Sequence, residues 1–227
     1  MTTMELLSPE KHSRLRVRRR STADSHFVQI TAAEFEAAAA CCPVLFTKNA
    51  TTGAFYVGAM FGFKADETLL DTAVARGGFE PLVMQCEGFF VSGDRIAIDV
   101  DHSRFSESEG DLLFAQDRTP EPNLRAIQHG IGRLRSGIEQ TEAFIKAMSD
   151  LKLIEPIDIS LSFEKGERLV LRGLYTVSLD SLREIDDAAV VRLFRSGHLH
   201  LAYAMRGSLR HISRLAELRN RRLIASG

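Results

Sequence analysis

The sequence predicts a mixed α+β fold in which an antiparallel sheet with β-hairpins packs against a long central helix and C-terminal helices. Two stretches, 89–101 and 157–177, alternate apolar and polar residues in the way that half-buried strands do. Two others, 122–152 and 199–222, repeat apolar residues at every third or fourth position, as amphipathic helices do. Hairpins and long helices in one chain are typical of the α+β class.

Each predicted hairpin consists of two strand-like stretches separated by turn residues. The first joins residues 89–91 to 95–101 across Ser92-Gly-Asp, and the second joins 157–163 to 169–177 across Glu164-Lys-Gly-Glu. In the first hairpin, Ile96, Ile98 and Val100 alternate with Arg95, Ala97, Asp99 and Asp101. Residues 43–47 and 54–63 also have strand character, and residues 112–115 are a candidate for a further short strand.

Helix boundaries are marked by residues that favour helix ends. Thr31 and Glu34 have the spacing of a capping box before an alanine run, and Pro43 ends that helix. Asp186 is placed to cap a helix that runs to Ser196, with Gly197 as its C-terminal stop. Glycines 130, 132 and 137 interrupt the long helical pattern and indicate a bend or a close helix crossing.

Composition excludes a disordered or collagen-like chain. The 227 residues are 44% hydrophobic with a net charge of −1, which is ordinary for a globular protein. The cysteines, Cys41, Cys42 and Cys86, form no CxxC pair, so we expect buried thiols in a reducing compartment rather than a zinc site. The N-terminal residues lack the pattern of a secretory signal, and the longest apolar stretch, 54–63, is too short for a transmembrane segment. The sequence therefore predicts a cytoplasmic protein.

Charge is distributed unevenly along the chain. An N-terminal basic arm over 1–25 precedes what the sequence predicts to be a single domain over 26–227. The arm carries Lys11, Arg14, Arg16, Arg18, Arg19 and Arg20. Residues 87–121 are acidic, and the C-terminal stretch is basic again. We expect these segments to pair with each other or to be solvated, as mixed-sign surfaces usually are.

The candidate catalytic residues are Asp99, Asp101 and His102. On a strand, the two aspartates would project from one face, where they could hold a divalent cation or perform acid–base chemistry. We expect instead that these residues form a solvated strand end. His198 and His200 would point in different directions on a helix, so no metal site is predicted. No nucleophile elbow, P-loop, dinucleotide fingerprint or zinc-protease motif occurs, and no cofactor is indicated.

The candidate binding residues are Arg206, Arg210 and Arg214, whose spacing of four places them on one face of the predicted 199–222 helix. They could meet an acidic partner or a phosphate. We expect instead that at least one of them meets a carboxylate of the acidic segment 87–121. No aromatic residues are interleaved to stack on bases, so a protein partner is favoured over nucleic acid.

The order and spacing of short motifs resemble the bacterial SapC family from about His12 to about Leu218. The N-terminal motifs are Leu-x-Val after His12, the helix at 30–39, Cys-Pro-Val-Leu-Phe at 42–46, Ile-Asp at 98–99 and Gly-Asp-Leu-Leu-Phe at 110–114. The C-terminal motifs are Thr-Glu-Ala-Phe at 141–144, Leu-Ile-Glu-Pro at 153–156, the run at 171–177 and Ser-Leu-Arg at 208–210. The family's usual tryptophan is missing, and the segment 76–90 keeps only a proline and the closing phenylalanine of the family pattern.

The resemblance implies a link to bacterial surface layers, and to genes for outer-membrane receptors and flavin-dependent halogenases. The resemblance implies no known reaction and assigns no catalytic residues. Two functions follow as expectations. The first is an accessory or protein-binding factor in cell-envelope or surface-layer processes. The alternative is an enzyme, or the partner of an enzyme such as a flavin-dependent halogenase, that acts on a small molecule or peptide.

Overall fold

A computed structural model describes residues 3–18, 25–65, 67–70 and 77–225. The chain forms two compact units. The first unit comprises Met1–Ser21 with Leu82–Ser136, and the second comprises Thr22–Pro81 with Gly137–Gly227. Arg19 and Arg20 of the predicted arm, and Arg76 of the family segment, lie outside the described residues. The division into an arm over 1–25 and one domain over 26–227 stays a prediction, because compactness alone does not define an independently folding domain.

The fold is mixed α+β, as predicted. The strands are β1 (Met4–Leu6), β2 (Arg16–Val17), β3 (Phe27–Gln29), β4 (Val44–Lys48), β5 (Phe55–Met60), β6 (Phe89–Ser92), β7 (Arg95–Asp99), β8 (Phe105–Ser106), β9 (Asp111–Leu112), β10 (Ile154–Ser162) and β11 (Arg168–Val177). The α-helices are α1 (Pro9–His12), α2 (Phe35–Ala39), α3 (Leu82–Gln85), α4 (Pro122–Asp150), α5 (Leu179–Glu184), α6 (Asp187–Arg195), α7 (His198–Ser208) and α8 (His211–Ala225).

The first unit contains the first predicted hairpin. Strands β6 and β7 pair antiparallel through Phe89↔Ile98 and Ser92↔Arg95, which confirms the hairpin and its turn. Strand β1 pairs with the other edge of β7. A core cluster lies beside this sheet: Val17, Phe89, Ile98, Phe105, Leu113, Phe114, Leu124 and Ile127. The segment predicted to be an N-terminal basic arm therefore contributes strand β1 to this sheet.

The described part of the basic arm pairs with acidic residues of the same unit. Strand β2 lies between β8 and β9, both antiparallel to it. Arg14 forms an ion pair with Glu107 and Arg18 forms one with Glu109, each at 3.1 Å. Arg16 donates a hydrogen bond to the carbonyl of Gly110 at 2.9 Å. Pairing of the N-terminal arginines with the acidic segment is thus confirmed for these residues.

The second unit is organised around an antiparallel sheet with the order β10-β11-β4-β5-β3. The β10–β11 hairpin confirms the second prediction. One sheet face packs against helices, because Phe144 of α4 stacks on Phe46 of β4 at a centroid distance of 5.7 Å and meets Phe35 of α2 edge-on at 5.4 Å. These three aromatic side chains are fully buried and form the centre of this core.

The predicted capping box of Thr31 and Glu34 is present, and it leads through a 3-10 turn (Ala32–Glu34) into α2. The Glu34 carboxylate accepts from the backbone N–H and from the hydroxyl of Thr31, at 2.8 and 2.9 Å, so the hydroxyl acts as a donor. Thr141 of α4 accepts from the N–H of Ala32 at 2.7 Å. A Cβ at Gly137 would lie 2.6 Å from the Thr31 hydroxyl, so this glycine permits the predicted close approach.

The C-terminal region differs from the prediction in one respect. Asp186 caps α6 by accepting from the N–H of Ala189 at 2.8 Å, and Gly197 ends the segment with a φ of 77°, as expected. The single helix predicted over 199–222 is wrong, because α7 ends at Ser208 and α8 begins at His211. Ser208 is held at this point because its hydroxyl accepts from the N–H of Val44 at 2.8 Å. None of the helices in the described residues combines the length and apolar character needed to cross a bilayer.

Candidate functional sites

Asp99, Asp101 and His102 lie at the end of β7, where they stabilise a turn. Strand β7 ends at Asp99, so the expectation that both aspartates project from one strand face is wrong. The Asp99 carboxylate accepts from the N–H of Asp101 at 3.3 Å, and the N–H of His102 donates to the Asp99 carbonyl at 3.0 Å. His102 Nδ1 accepts from the N–H of Arg104 at 3.2 Å. His102 Nε2 lies 3.7 Å from a carboxylate oxygen of Glu87. The Asp99 carboxylate and His102 Nδ1 are therefore directed at the backbone of their own turn, whereas His102 Nε2 faces Glu87.

The same turn is anchored by Arg104. Its guanidinium donates to the carbonyls of Gln85 and Glu87 at 2.6 and 2.9 Å, and so satisfies acceptors at and just beyond the C-terminal end of α3. The guanidinium also lies over the ring of Phe89, 5.8 Å from its centroid. These contacts give the turn a structural role. A catalytic role for the aspartates and His102 stays a prediction.

His198 and His200 have separate environments on α7. The His198 ring packs against Phe144, with 5.8 Å between centroids, and its burial lowers its pKa. His200 Nε2 lies 2.8 Å from a carboxylate oxygen of Glu36. The two rings therefore do not converge on one ligand. Among the described residues, no group of three or more His, Cys, Asp or Glu side chains is placed to hold a metal ion.

Arg206, Arg210 and Arg214 do not lie on one helix. Arg206 is in α7, Arg210 is in the break between helices, and Arg214 is in α8. Their predicted alignment on a single helix face is therefore wrong. Arg214 donates to the Cys41 carbonyl at 3.3 Å, and neither Arg206 nor Arg210 forms an ion pair with a described residue of the second unit. Contact with the acidic segment stays a prediction, since that segment belongs to the first unit.

The three cysteines are buried, as expected. Cys42 Sγ lies 3.2 Å from the Ala38 carbonyl, and Cys41 Sγ lies 3.8 Å from Cys42 Sγ. Cys86 Sγ lies 3.8 Å from the carbonyl of Ile127. Each thiol is thus a buried side chain next to a helix backbone.

Helix α6 exposes an apolar surface that its own packing does not require. Its inner side buries Ala189 and Leu193. Its outer side exposes Val191 and Phe194, and 72% of the Phe194 surface is accessible. The α6 outer face, defined here as Val191, Arg192, Phe194 and Arg195, consists of these two apolar residues and two exposed arginines. Residues three apart are neighbours on a helix, so Val191 and Phe194 form a contiguous patch.

The first unit contains a cleft of about 470 Å³ between the β6–β7 hairpin, residues 7–9 and α4. Its lining is Leu7, Pro9, Val91, Gly93, Asp94, Arg95, Ile96, Phe114, Leu124, Gln128, Ile131, Gly132 and Arg135. Phe114 and Leu124 are buried, and Ile96 and Ile131 are half-buried. Arg95 and Arg135 are exposed.

Sequence reasoning missed both of these surfaces. The sequence predicts the α6 segment as a helix, and it also contains one signal of the exposed apolar surface. Leu193 and Phe194 are adjacent, and two adjacent residues of a helix cannot both lie in a narrow apolar stripe that faces the core. The cleft is assembled from segments up to 128 residues apart along the chain, from Leu7 to Arg135, so no local pattern indicated it. The one local sign of the cleft is Gly132, which interrupts the helical pattern of α4.

Comparison with known proteins identifies the family. The SapC family model matches residues 7–215. No curated protein and no solved structure matches the chain. The family match begins within the first unit, extends through most of the second, and agrees with the motifs recognised in the sequence. Because the match covers most of its length, the chain belongs to the SapC family.

Proposed function

We propose that this protein is a cytoplasmic, non-catalytic accessory factor of the bacterial cell envelope that binds a partner protein through the α6 outer face. The observation that carries the proposal is the exposure of Phe194. Burying a phenylalanine side chain stabilises a fold by about 1.5–3 kcal/mol. The exposed ring of Phe194 does not contribute this stabilisation to the isolated protein, and burial against a partner would provide it. An exposed aromatic side chain beside arginines has the composition of a protein-binding hot spot.

The chemistry of the α6 outer face specifies the partner. Val191 and Phe194 offer an apolar ridge, and Arg192 and Arg195 place two positive charges beside it. An amphipathic helix with apolar residues at helical spacing and flanking Asp or Glu would complement both features. A second copy of the chain fits less well, because a twofold contact through this face would bring arginines of both copies together.

The enzyme alternative has less support. Acid–base catalysis requires titratable groups that face a substrate. The carboxylate of Asp99 and the Nδ1 atom of His102 instead accept hydrogen bonds from the backbone of their own turn. The proposal therefore rests on binding and assigns no reaction.

The test is selection from a displayed library of random peptides against the full-length protein. Enriched peptides should combine apolar residues at helical spacing with acidic residues. They should bind Phe194→Asp and Arg195→Glu variants much more weakly. Ile138→Asp serves as the matched control, because Ile138 is also a half-exposed apolar residue on a helix, and its variant should bind like the wild type.

Three results would overturn the proposal. The first is enrichment of peptides without an excess of acidic residues. The second is equal binding to the wild type and the Phe194→Asp variant. The third is formation of a dimer, measured by sedimentation, that the Phe194→Asp change abolishes, because the α6 outer face would then bind a second copy of the chain.

A further inference from the structure

We infer that the cleft of the first unit binds a small amphiphile, with an apolar chain or ring in the cleft and a single carboxylate held by Arg95 and Arg135. This site goes beyond the proposed protein-binding function and lies in the other compact unit. The inference rests on three independent features of the lining: an accessible apolar floor, two arginines without an ion-pair partner among the described residues, and a glycine that keeps the cleft open.

The floor of the cleft is apolar. Phe114 and Leu124 belong to the buried core cluster, while Leu7, Ile96 and Ile131 pack against it and stay half-buried. The half-buried side chains thus present apolar surface to the cleft. The volume of about 470 Å³ falls within the range of pockets that bind small organic molecules.

The charged residues of the lining favour an anion. Arg95 and Arg135 are exposed, and neither forms an ion pair with another described residue. Asp94 is the acidic residue in the lining, so two arginines and one aspartate leave one net positive charge. That balance matches a carboxylate monoanion better than a phosphate dianion. Guanidinium groups also fit carboxylates geometrically, because two parallel N–H groups can meet the two oxygens.

Gly132 keeps the cleft open at a cost to α4. Glycine inside a helix is less stable than alanine by roughly 0.5–1 kcal/mol. Close packing explains Gly130, where a Cβ would lie 2.9 Å from the sulfur of Cys86. It does not explain Gly132, where a Cβ would meet no atom within 4 Å. Since Gly132 lines the cleft, a side chain there would occupy the space available to a ligand.

The test is calorimetric titration of the full-length protein with decanoate, and with decanamide as the uncharged counterpart. We expect one decanoate per chain and binding of decanamide weaker by about tenfold or more, because the charge-assisted hydrogen bonds are lost. The Arg95→Gln and Arg135→Gln variants should each bind decanoate about tenfold more weakly and should discriminate less between the two ligands.

A blocking variant separates the cleft from other surfaces. Gly132→Leu should abolish decanoate binding and should keep or raise the thermal unfolding temperature, because leucine favours helix. Gly207→Leu is the matched control, since Gly207 is also helical with no atom within 4 Å of a built Cβ, and this variant should bind normally. Phe194→Asp should also bind decanoate normally, so this test fails or succeeds independently of the protein-binding proposal.

The inference is overturned if decanoate does not bind, if it binds with several molecules per chain, or if decanamide binds equally well. It is also overturned if a folded Gly132→Leu variant keeps the wild-type affinity.

Discussion

Arg219 of α8 donates hydrogen bonds to both carboxylate oxygens of Glu167, at 3.0 and 3.1 Å, in the connection between β10 and β11. The same guanidinium pairs with Glu67 and lies over the ring of Phe163 at 5.1 Å. Only 6% of the Arg219 side chain is exposed. An arginine that in sequence belongs to a basic C-terminal surface thus attaches the last helix to the hairpin of the second unit.

Replacing Arg219 by methionine should lower the free energy of unfolding by about 2 kcal/mol, because hydrogen bonds from a buried charged group are lost. Urea unfolding followed by circular dichroism measures the change. Arg221→Met is the matched control, since Arg221 is exposed on the same helix and its replacement should have little effect. Equal effects of the two replacements would contradict the role assigned to Arg219.

The contribution of Glu167 should depend on pH. Hydrogen bonds from Lys64 and then from Arg219 hold the pKa of Glu167 below its ordinary value of 4.5. A carboxylate with a lowered pKa in the folded state stabilises the fold above the unfolded value, and this stabilisation is lost as pH falls through the folded value. The difference in urea midpoint between wild type and Glu167→Gln should therefore be full near neutral pH and shrink below 4.5. A difference that persists well below that value would contradict the ion pair.

His198 should also make the fold less stable as pH falls, beginning closer to neutrality than Glu167 does. Burial lowers its pKa from 6.5, so below that pH the unfolded chain takes up a proton that the folded chain does not. The free energy of unfolding should therefore decrease as pH is lowered from 6.5 to the pKa of His198 in the folded state. A His198→Phe variant keeps an aromatic ring against Phe144 and should lose less stability over this range. NMR titration of His198 gives the direct measurement, and a midpoint at or above 6.5 would disprove the assignment.

Two glycines near α7 should respond oppositely to alanine. Gly197 has a φ of 77°, a left-handed conformation that costs an L-residue about 1–2 kcal/mol, so Gly197→Ala should destabilise the protein by about 1 kcal/mol. Gly207 lies within α7 in open space, so Gly207→Ala should raise stability by roughly 0.5–1 kcal/mol. Chemical unfolding of both variants checks the signs, and a shared sign would show that backbone conformation does not decide the outcome.

The elements that sequence predicted are those whose signals are local. The β6–β7 hairpin follows from alternation around Gly93, and α4 follows from apolar residues at helical spacing. Strand β1 escaped prediction because three residues show no period, and its existence depends on pairing of Met4 with Asp99. The break after Ser208 also escaped, because the apolar stripe continues through it and the bond from Val44 is a tertiary contact.

The candidate sites, too, were predictable only where they depend on local signals. The sequence predicts the helix that contains Phe194. It does not predict which side of that helix faces solvent, because that depends on the residues that pack against Leu193. Arg206, Arg210 and Arg214 would lie on one face of a continuous helix, and the break in that helix separates them. Asp99 and Asp101 were expected to share a strand face, and they do not because β7 ends at Asp99. Residue spacing therefore predicts a site only if one helix or strand includes all the residues of that site.

The interleaving of the two units along the chain has a consequence for folding during synthesis. Every residue of the first unit has been made once the ribosome reaches Ser136. Strand β4 of the second unit, in contrast, must wait for Leu174 and Tyr175 of β11 before both of its edges are paired. A nascent chain therefore holds a complete first unit while β4, at the edge of the β4-β5-β3 part of the second sheet, still lacks its neighbour β11. An unpaired, apolar strand edge invites association with other chains, so this interval is when the growing protein most needs a chaperone.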